Sequence, residues 1–348
     1  MQYRPLGRTD IKVSAYCLGS MTWGTQNSED EGHAQIDAAL DAGINFIDTA
    51  EMYPTTPLSA ETQGRTEEII GSWVAKTGRR DDVVIATKIV GEGFPRIRDG
   101  APISADTLAG AVETSLRRLQ TDVIDLYQLH WPNRGSYHFR KWPHFDPTGQ
   151  DTRAADDIAA CVAALDDLVK AGKIRAIGLS NESAWGTMQF INAANASGGP
   201  RVASIQNEYS LLCRHYDLDL AELTHHEDVG LLAFSPLATG ILTGKYLNDA
   251  TPPGSRRSIN NGDLGGRLSG KGVEAASRAY VELARDHGLD PTQMALAFCA
   301  QRPFMTSVIF GATTQEQLST ALGAVDVTLS DAVLEDINAI YKTYPVPM

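Results

Sequence analysis

Eight short apolar runs alternate with longer stretches of helical periodicity along this 348-residue chain, and that alternation restricts the fold more than any other feature. The runs begin near Ala15, Asn45, Val83, Val123, Ile174, Ala203, Gly230 and Thr306. Segments such as VVIAT and VIDLYQL are apolar on both faces, as strands covered on both sides should be. Between them lie helical patterns. Ser28-Glu-Asp-Glu31 is a capping box, opening a helix with Ile36, Ala39 and Leu40 on one face and a stop near Gly43. Leu108, Val112, Ser115, Leu116 and Leu119 stripe a second helix, and Ile158, Val162, Leu165, Leu168 and Val169 a third. Further helices are predicted over 183–196, 272–287, 314–324 and 330–342. Tyr3 to Val13, with a turn at Gly7–Asp10, reads as a small hairpin outside the repeat.

Such a pattern suits either a closed (β/α)8 barrel or a doubly wound open sheet. A dinucleotide-binding open sheet would carry G-x-G-x-x-G directly after its first strand. Here that strand runs into Leu18-Gly-Ser-Met-Thr-Trp-Gly24, which lacks the spacing, and no Pro/Ser linker divides the chain. The expected fold is therefore α/β: one (β/α)8 TIM barrel over residues 1–348, with an N-terminal hairpin and an extra C-terminal helix. Three long connections, 91–103, 131–154 and 239–271, follow strands and belong over the C-terminal mouth, where barrel enzymes keep their active sites. The middle one holds Trp131, Tyr137, Phe139, Trp142 and Phe145, which reads as a lid or substrate wall, or as a loop packed on itself.

Composition removes several functions. A net charge of −13 argues against a nucleic-acid binder and against a polybasic membrane contact. No apolar run approaches the roughly 20 residues of a membrane helix, and MQYRPLGRTD lacks the apolar core of a secretory signal. The four cysteines show no C-x-x-C pair, so a reducing, cytoplasmic setting is expected.

Polar residues stand where the strands end. Asn45-Phe-Ile-Asp48 ends in a carboxylate, Val84-Ile-Ala-Thr-Lys88 in an ammonium and Leu126-Tyr-Gln-Leu-His130 in an imidazole. Ser180, Asn181, Gln206, Phe234 and Ser235 close three later strands. In a barrel these ends converge, and a buried Asp48 and Lys88 should pair. Tyr53, five residues after Asp48, swings a phenol over the mouth. The ammonium should lower the phenol's pKa, and His130 can hydrogen-bond a carbonyl oxygen. That set suits proton delivery to a carbonyl while hydride arrives from a nicotinamide. Each residue alone has a structural explanation: a helix cap, an ion pair, a satisfied core histidine, packing. Together, at consecutive strand ends, they read as a site.

At these residues the sequence resembles the aldo-keto reductase superfamily. Gly43-Ile-Asn-Phe-Ile-Asp48-Thr-Ala-Glu-Met-Tyr53 is the most specific segment. Thr87-Lys88, Leu129-His130, Gly178-Leu-Ser180-Asn181 and Phe234-Ser-Pro-Leu-Ala-Thr-Gly240 match in order. Phe234 to Tyr246 and the turn Gly311-Ala312-Thr313 are most similar to the branch holding potassium-channel β subunits and bacterial Tas-type members. The resemblance implies a catalytic set of Asp48, Tyr53, Lys88 and His130, with Tyr53 the general acid in reducing a small aldehyde or ketone. It implies that Phe234 stacks on the nicotinamide and that Ser180, Asn181 and Gln206 hold its carboxamide. Ser235, Pro236, Leu237, Ala238 and Gly240 would line the pyrophosphate path, with Lys245 and Arg256 on phosphate and Gly311, Thr313 and Gln317 near the adenosine end. NADP(H) is the implied cofactor. NAD(H) is the alternative, because no Lys or Arg stands between Gly311 and Ala324. The branch also allows a nicotinamide-binding regulatory or interaction subunit with little turnover, and a nicotinamide-free barrel acting on sugar phosphates is a third option.

Arg257 and Arg267 share the loop with Lys245 and Arg256, and read equally as anion ligands or solubility charges. His225-His226 point to different helix faces and make a poor metal site. Asp125 should pair within the barrel or cap a neighbour. Tyr209 and Tyr216 read as lining of the mouth, with nothing tying them to chemistry. Met294, Leu296, Ala297 and Phe298 read as core, with a subunit contact in a homo-oligomer as the alternative.

Overall fold

The computed structural model describes residues 1–348. Two short strands, β1 (Tyr3–Pro5) and β2 (Lys12–Ser14), pair antiparallel as the expected hairpin. Eight parallel strands follow: β3 (Tyr16–Gly19), β4 (Phe46–Asp48), β5 (Val84–Ile89), β6 (Ile124–Leu129), β7 (Ile174–Ser180), β8 (Val202–Glu208), β9 (Gly230–Phe234) and β10 (Met305–Phe310). They pair in sequence order, and β10 closes on β3, making a closed barrel.

The helices are α1 (Glu29–Asp41), α2 (Arg65–Thr77), α3 (Ala105–Leu119), α4 (Ala154–Lys170), α5 (Ala184–Ser197), α6 (Asp219–Glu227), α7 (Arg256–Ile259), α8 (Val273–Asp286), α9 (Pro291–Ala300), α10 (Gln315–Leu322) and α11 (Asp331–Thr343). The capping box at Ser28 and Glu31 forms as read. Helix α2 was not expected. Its N-cap is Gly64, at φ +81° and with no capping side chain, so the usual start signal is missing. It also carries an interior glycine. A Cβ on Gly71 would lie 2.1 Å from the Arg118 carbonyl of α3, so glycine is what lets the two helices meet.

Period-two alternation positions the site. One residue from each barrel strand joins a floor: Cys17, Phe46, Ala86, Leu126, Ala176, Ala203, Leu232 and Ile309. Leu6, Ile11 and Val13 from the hairpin segment pack into the same cluster and plug the lower end. Two residues further along β4, β5, β6 and β9 on the same faces stand Asp48, Lys88, Gln128 and Phe234. Gly178 occupies that layer on β7, where a Cβ would press within 3.1 Å of Gln128 Cγ. Another two residues on come His130 and Ser180. The barrel is thus apolar below and polar toward the mouth.

Several expectations resolve here. Met294, Leu296, Ala297 and Phe298 are buried core of α9. Asp125 is buried low in the barrel wall, where Arg80 and Arg175 each approach it at 2.8 Å. Tyr209 is fully buried, donates to Asp217 at 2.7 Å and packs its ring on Phe298 and Phe304. No helix is long and apolar enough to cross a membrane.

Replacing Gly71 by alanine forces a methyl against backbone that has no side chain to swing away. Urea denaturation should show Gly71→Ala losing about 2–3 kcal/mol of stability.

Candidate active site

Lys88 has no exposed surface and Asp48 is 3% exposed. The ammonium donates to Asp48 Oδ2 at 2.6 Å and to the Thr49 carbonyl at 2.7 Å. Gln206 Nε2 at 2.7 Å and Gln128 Nε2 at 3.2 Å occupy the other carboxylate oxygen. The pair expected from sequence is therefore present and fully hydrogen-bonded. The Gln206 amide nitrogen serves Asp48 and Gln128 inside the barrel, and its Oε1 takes no protein partner.

Tyr53 stands above this pair. The Lys88 nitrogen is 4.9 Å from the phenol ring centroid. The His130 ring lies 5.9 Å away, edge-on at 76°. Burial pushes the phenol's pKa up, Lys88 pulls it down and Asp48 pushes again; the net shift is upward. Lys88 thus acts in the direction expected of it, and burial outweighs it. Burial also works against the Lys88 ammonium, but Asp48 and Tyr53 outweigh it and its pKa is raised. Burial first, then Lys88, holds the His130 imidazole well below its usual range. At neutral pH the phenol keeps its proton and the imidazole is neutral.

Ser180 donates to the Gln206 carbonyl at 2.9 Å, and Asn181 Nδ2 donates to the His130 carbonyl at 3.0 Å. Asn181 Oδ1 and His130 Nδ1 are buried and have no partner, and the same holds for Thr49 Oγ1 and Ser204 Oγ. Beyond Phe234, at the end of β9, the backbone turns left-handed at Ser235, Ala238, Thr239 and Gly240. Asn181 shares that conformation. Such residues cost energy and turn N–H groups into concave anion nests. Gly240 also gives space to Lys245: a Cβ there would meet its side chain at 2.8 Å. Pro236 and Leu237 lie within the same turn.

The four loop cations separate into two kinds. Arg257 pairs with Asp249. Arg267 donates to Glu208 at 2.8 Å and to Ser235 Oγ at 3.3 Å. Lys245 and Arg256 have no carboxylate partner. Burial and then Arg256 lower the Lys245 pKa, and burial and then Arg267 lower that of Arg256. Two half-buried cations without carboxylate partners make a place for an anion. At the turn expected to meet adenosine, Gly311 and Thr313 precede α10, and Gln317 Oε1 accepts from Thr313 N and Oγ1, both at 3.1 Å. Gln317 thus braces the turn itself.

The aromatic loop divides as well. Trp131 packs 5.0 Å from His130, with Phe139 and Phe94 at 6.2 and 6.4 Å, forming a wall beside the imidazole. Tyr137 packs on Phe145, and Trp142 on His215. The loop is fastened to the ends of β7 and β8: Arg134 pairs with Glu182, Ser136 donates to the Asn181 carbonyl at 3.0 Å, and Arg140 pairs with Glu208 at 2.8 Å. A cavity of about 360 Å³ lies under Trp131, between that loop and α4, and does not include Tyr53. Sequence reading missed Glu51, Glu182 and Glu208. Their Arg partners are distant in sequence, and no spacing announces them.

A closed eight-stranded barrel gathers Asp48, Tyr53, Lys88 and His130 at its mouth. The chain belongs to the aldo/keto reductase family, whose sequence model matches residues 15–342, and a general oxidoreductase role comes with that membership. It is 44% identical to "Protein tas" of Escherichia coli over the whole of both chains. It is 31% identical to an "Uncharacterized oxidoreductase YrpG" of Bacillus subtilis, covering 98% of this chain and 96% of that one. It is 32% identical to a "Probable voltage-gated potassium channel subunit beta" of Arabidopsis thaliana, covering 99% and 98%.

Removing the carboxylate leaves a buried ammonium without its counter-ion. Asp48→Ala should cost about 3–5 kcal/mol in urea denaturation at pH 7. Because the folded Lys88 pKa is raised, the pair's contribution is complete below the unfolded value of about 10.5. It is lost as pH rises through the folded value. The gap between wild type and variant should therefore narrow in strong alkali.

Proposed function

We propose that residues 1–348 act as one barrel that reduces aldehydes or ketones to alcohols with NADPH, Tyr53 being the proton donor. The observation that carries this reading is the phenol standing 4.9 Å over a fully buried, Asp48-paired Lys88, with a neutral His130 edge-on beside it. Asp48 keeps the ammonium charged and in place. Lys88 favours the phenolate that remains once the proton has left, so burial and ammonium together keep the acid protonated yet able to donate. His130, unable to hold a second proton at neutral pH, offers an N–H to the carbonyl oxygen and orients it toward the phenol.

The residues present fit a nicotinamide dinucleotide. Asn181 Oδ1 is a buried acceptor without a partner, suited to a carboxamide N–H. Phe234, paired with Glu208 across β8 and β9, is a ring at the mouth for the nicotinamide face. Lys245 and Arg256 are unpaired cations beside a left-handed turn, suited to phosphate oxygens. When bound, NADPH supplies the hydride that, with the Tyr53 proton, makes the alcohol. Trp131, Phe94 and Phe139 line the apolar side of the opening and exclude water from the carbonyl.

The relatives named as channel subunits support a second reading, a nicotinamide-binding interaction subunit with little turnover. Steady NADPH oxidation with a panel of aldehydes supports the enzyme; tight NADPH binding without oxidation of any of them overturns it. Tyr53→Phe should lower turnover by at least about 1,000-fold while NADPH still quenches protein fluorescence with unchanged affinity. Unchanged turnover in that variant removes the role given to the phenol. Arg256→Ala should weaken NADPH binding roughly tenfold or more and flatten its salt dependence, read by fluorescence titration.

A further inference from the structure

Between Asp48 and Tyr53 stands a buried carboxylate that proton transfer does not use. The Glu51 side chain is only 4% exposed. Its Oε1 accepts from the Val90 N–H at 2.6 Å, and Arg98 forks onto both oxygens at 2.7 and 2.8 Å. Strand β4 ends at Asp48, yet its connection to β5 goes on. Thr49 N–H donates to the Ala86 carbonyl at 2.8 Å, and Glu51 N–H to the Lys88 carbonyl at 3.2 Å. The Val90 N–H then finds the Glu51 side chain in place of a further strand residue. Glu51 therefore ties the arm leading to Tyr53 to the arm carrying Lys88. Tyr53 N–H closes the following turn on the Ala50 carbonyl at 3.0 Å.

We propose that Glu51, with Arg98 as its counter-ion, is a positioning residue that holds the Tyr53 phenol over Lys88. This rests on the reading of Tyr53 as proton donor. The loop after β5 has the shape this requires. Arg98 and Asp99 both adopt left-handed backbone, which turns the guanidinium back onto Glu51 and the Val90 carbonyl. A second buried pair braces the other side of Lys88. Glu67 accepts from Thr87 Oγ1 at 2.6 Å and pairs with Arg118 at 3.2 Å, and Arg118 also reaches the Glu51 carbonyl at 3.4 Å. Glu51 acts through distance alone, and a displacement of about 1 Å at such a site costs on the order of 100-fold in rate.

The phenol is faced by Asp48 from β4, Lys88 from β5, His130 from the end of β6, and Arg256 from the loop after β9. Freeing Glu51 loosens Lys88 against the phenol and leaves the other three in place. The test measures NADPH-dependent reduction and the reverse alcohol oxidation by full-length Glu51→Gln, Arg98→Met and Arg98→Lys. Glu51→Gln and Arg98→Met should lose roughly 10- to 100-fold in kcat, with the NADPH Kd within about twofold of wild type. The pH at which alcohol oxidation rises should move upward, because the ammonium no longer draws the phenol down. Arg98→Lys restores the charge without the fork and should recover part of the rate. A lower melting temperature with unchanged kcat and pH profile would overturn the proposal, and Arg98→Met decides alone if Glu51→Gln does not fold. Tyr53→Phe separates the two levels. Full activity there defeats the parent reading, whereas an inactive Tyr53→Phe beside an unaffected Glu51→Gln defeats positioning only.

Discussion

Lys88 carries its charge with no surface open to water, and Asp48 makes that tolerable. Stripping water from two ions costs several kcal/mol each, and their attraction offsets this only when every remaining hydrogen-bonding position is met. Here those positions are met from different strands: the carboxylate from β4, the ammonium from β5, Gln128 from β6 and Gln206 from β8. No open sheet would bring the four together. The charge needs the closed barrel, and the barrel's polar layer is organised around the charge.

The same ammonium acts differently on its two titrating neighbours. It adds to burial in keeping His130 neutral, and it opposes burial at Tyr53. The outcome at neutral pH is one group that has a proton to give and one that has none to spare. At the rim the balance of charge reverses. A chain of net charge −13 keeps Lys245 and Arg256 free of carboxylates while pairing Arg257 and Arg267 a few residues away.

Much of this was legible in the residues. A period of two fixes Phe46 with Asp48, Ala86 with Lys88, and Leu126 with Gln128 and His130, so the inward faces and their order could be read off the strands. Helix α2 could not, because a left-handed glycine starts it where a capping side chain normally stands. The net direction at Tyr53 was hidden for another reason: proximity of a cation follows from strand order, but depth of burial does not. Spacing is also silent on Glu51 and Arg98, Glu182 and Arg134, or Glu208 with Arg140 and Arg267, since each pair is made by loops folding over the mouth. The aromatic loop divided along the same line, with Trp131 beside His130 and Tyr137 and Phe145 packed on each other.

The hairpin segment beneath the barrel has a bearing on the chemistry above it. Leu6, Ile11 and Val13 stopper the lower end with hydrocarbon, so the molecule is a cup and not a pipe. Solvent that reaches Lys88 must descend from the rim. On the proposed reading, the phenol would regain its hydrogen ion through the same aperture by which the product leaves, so each turnover would begin with the protonation state set when that aperture was last open.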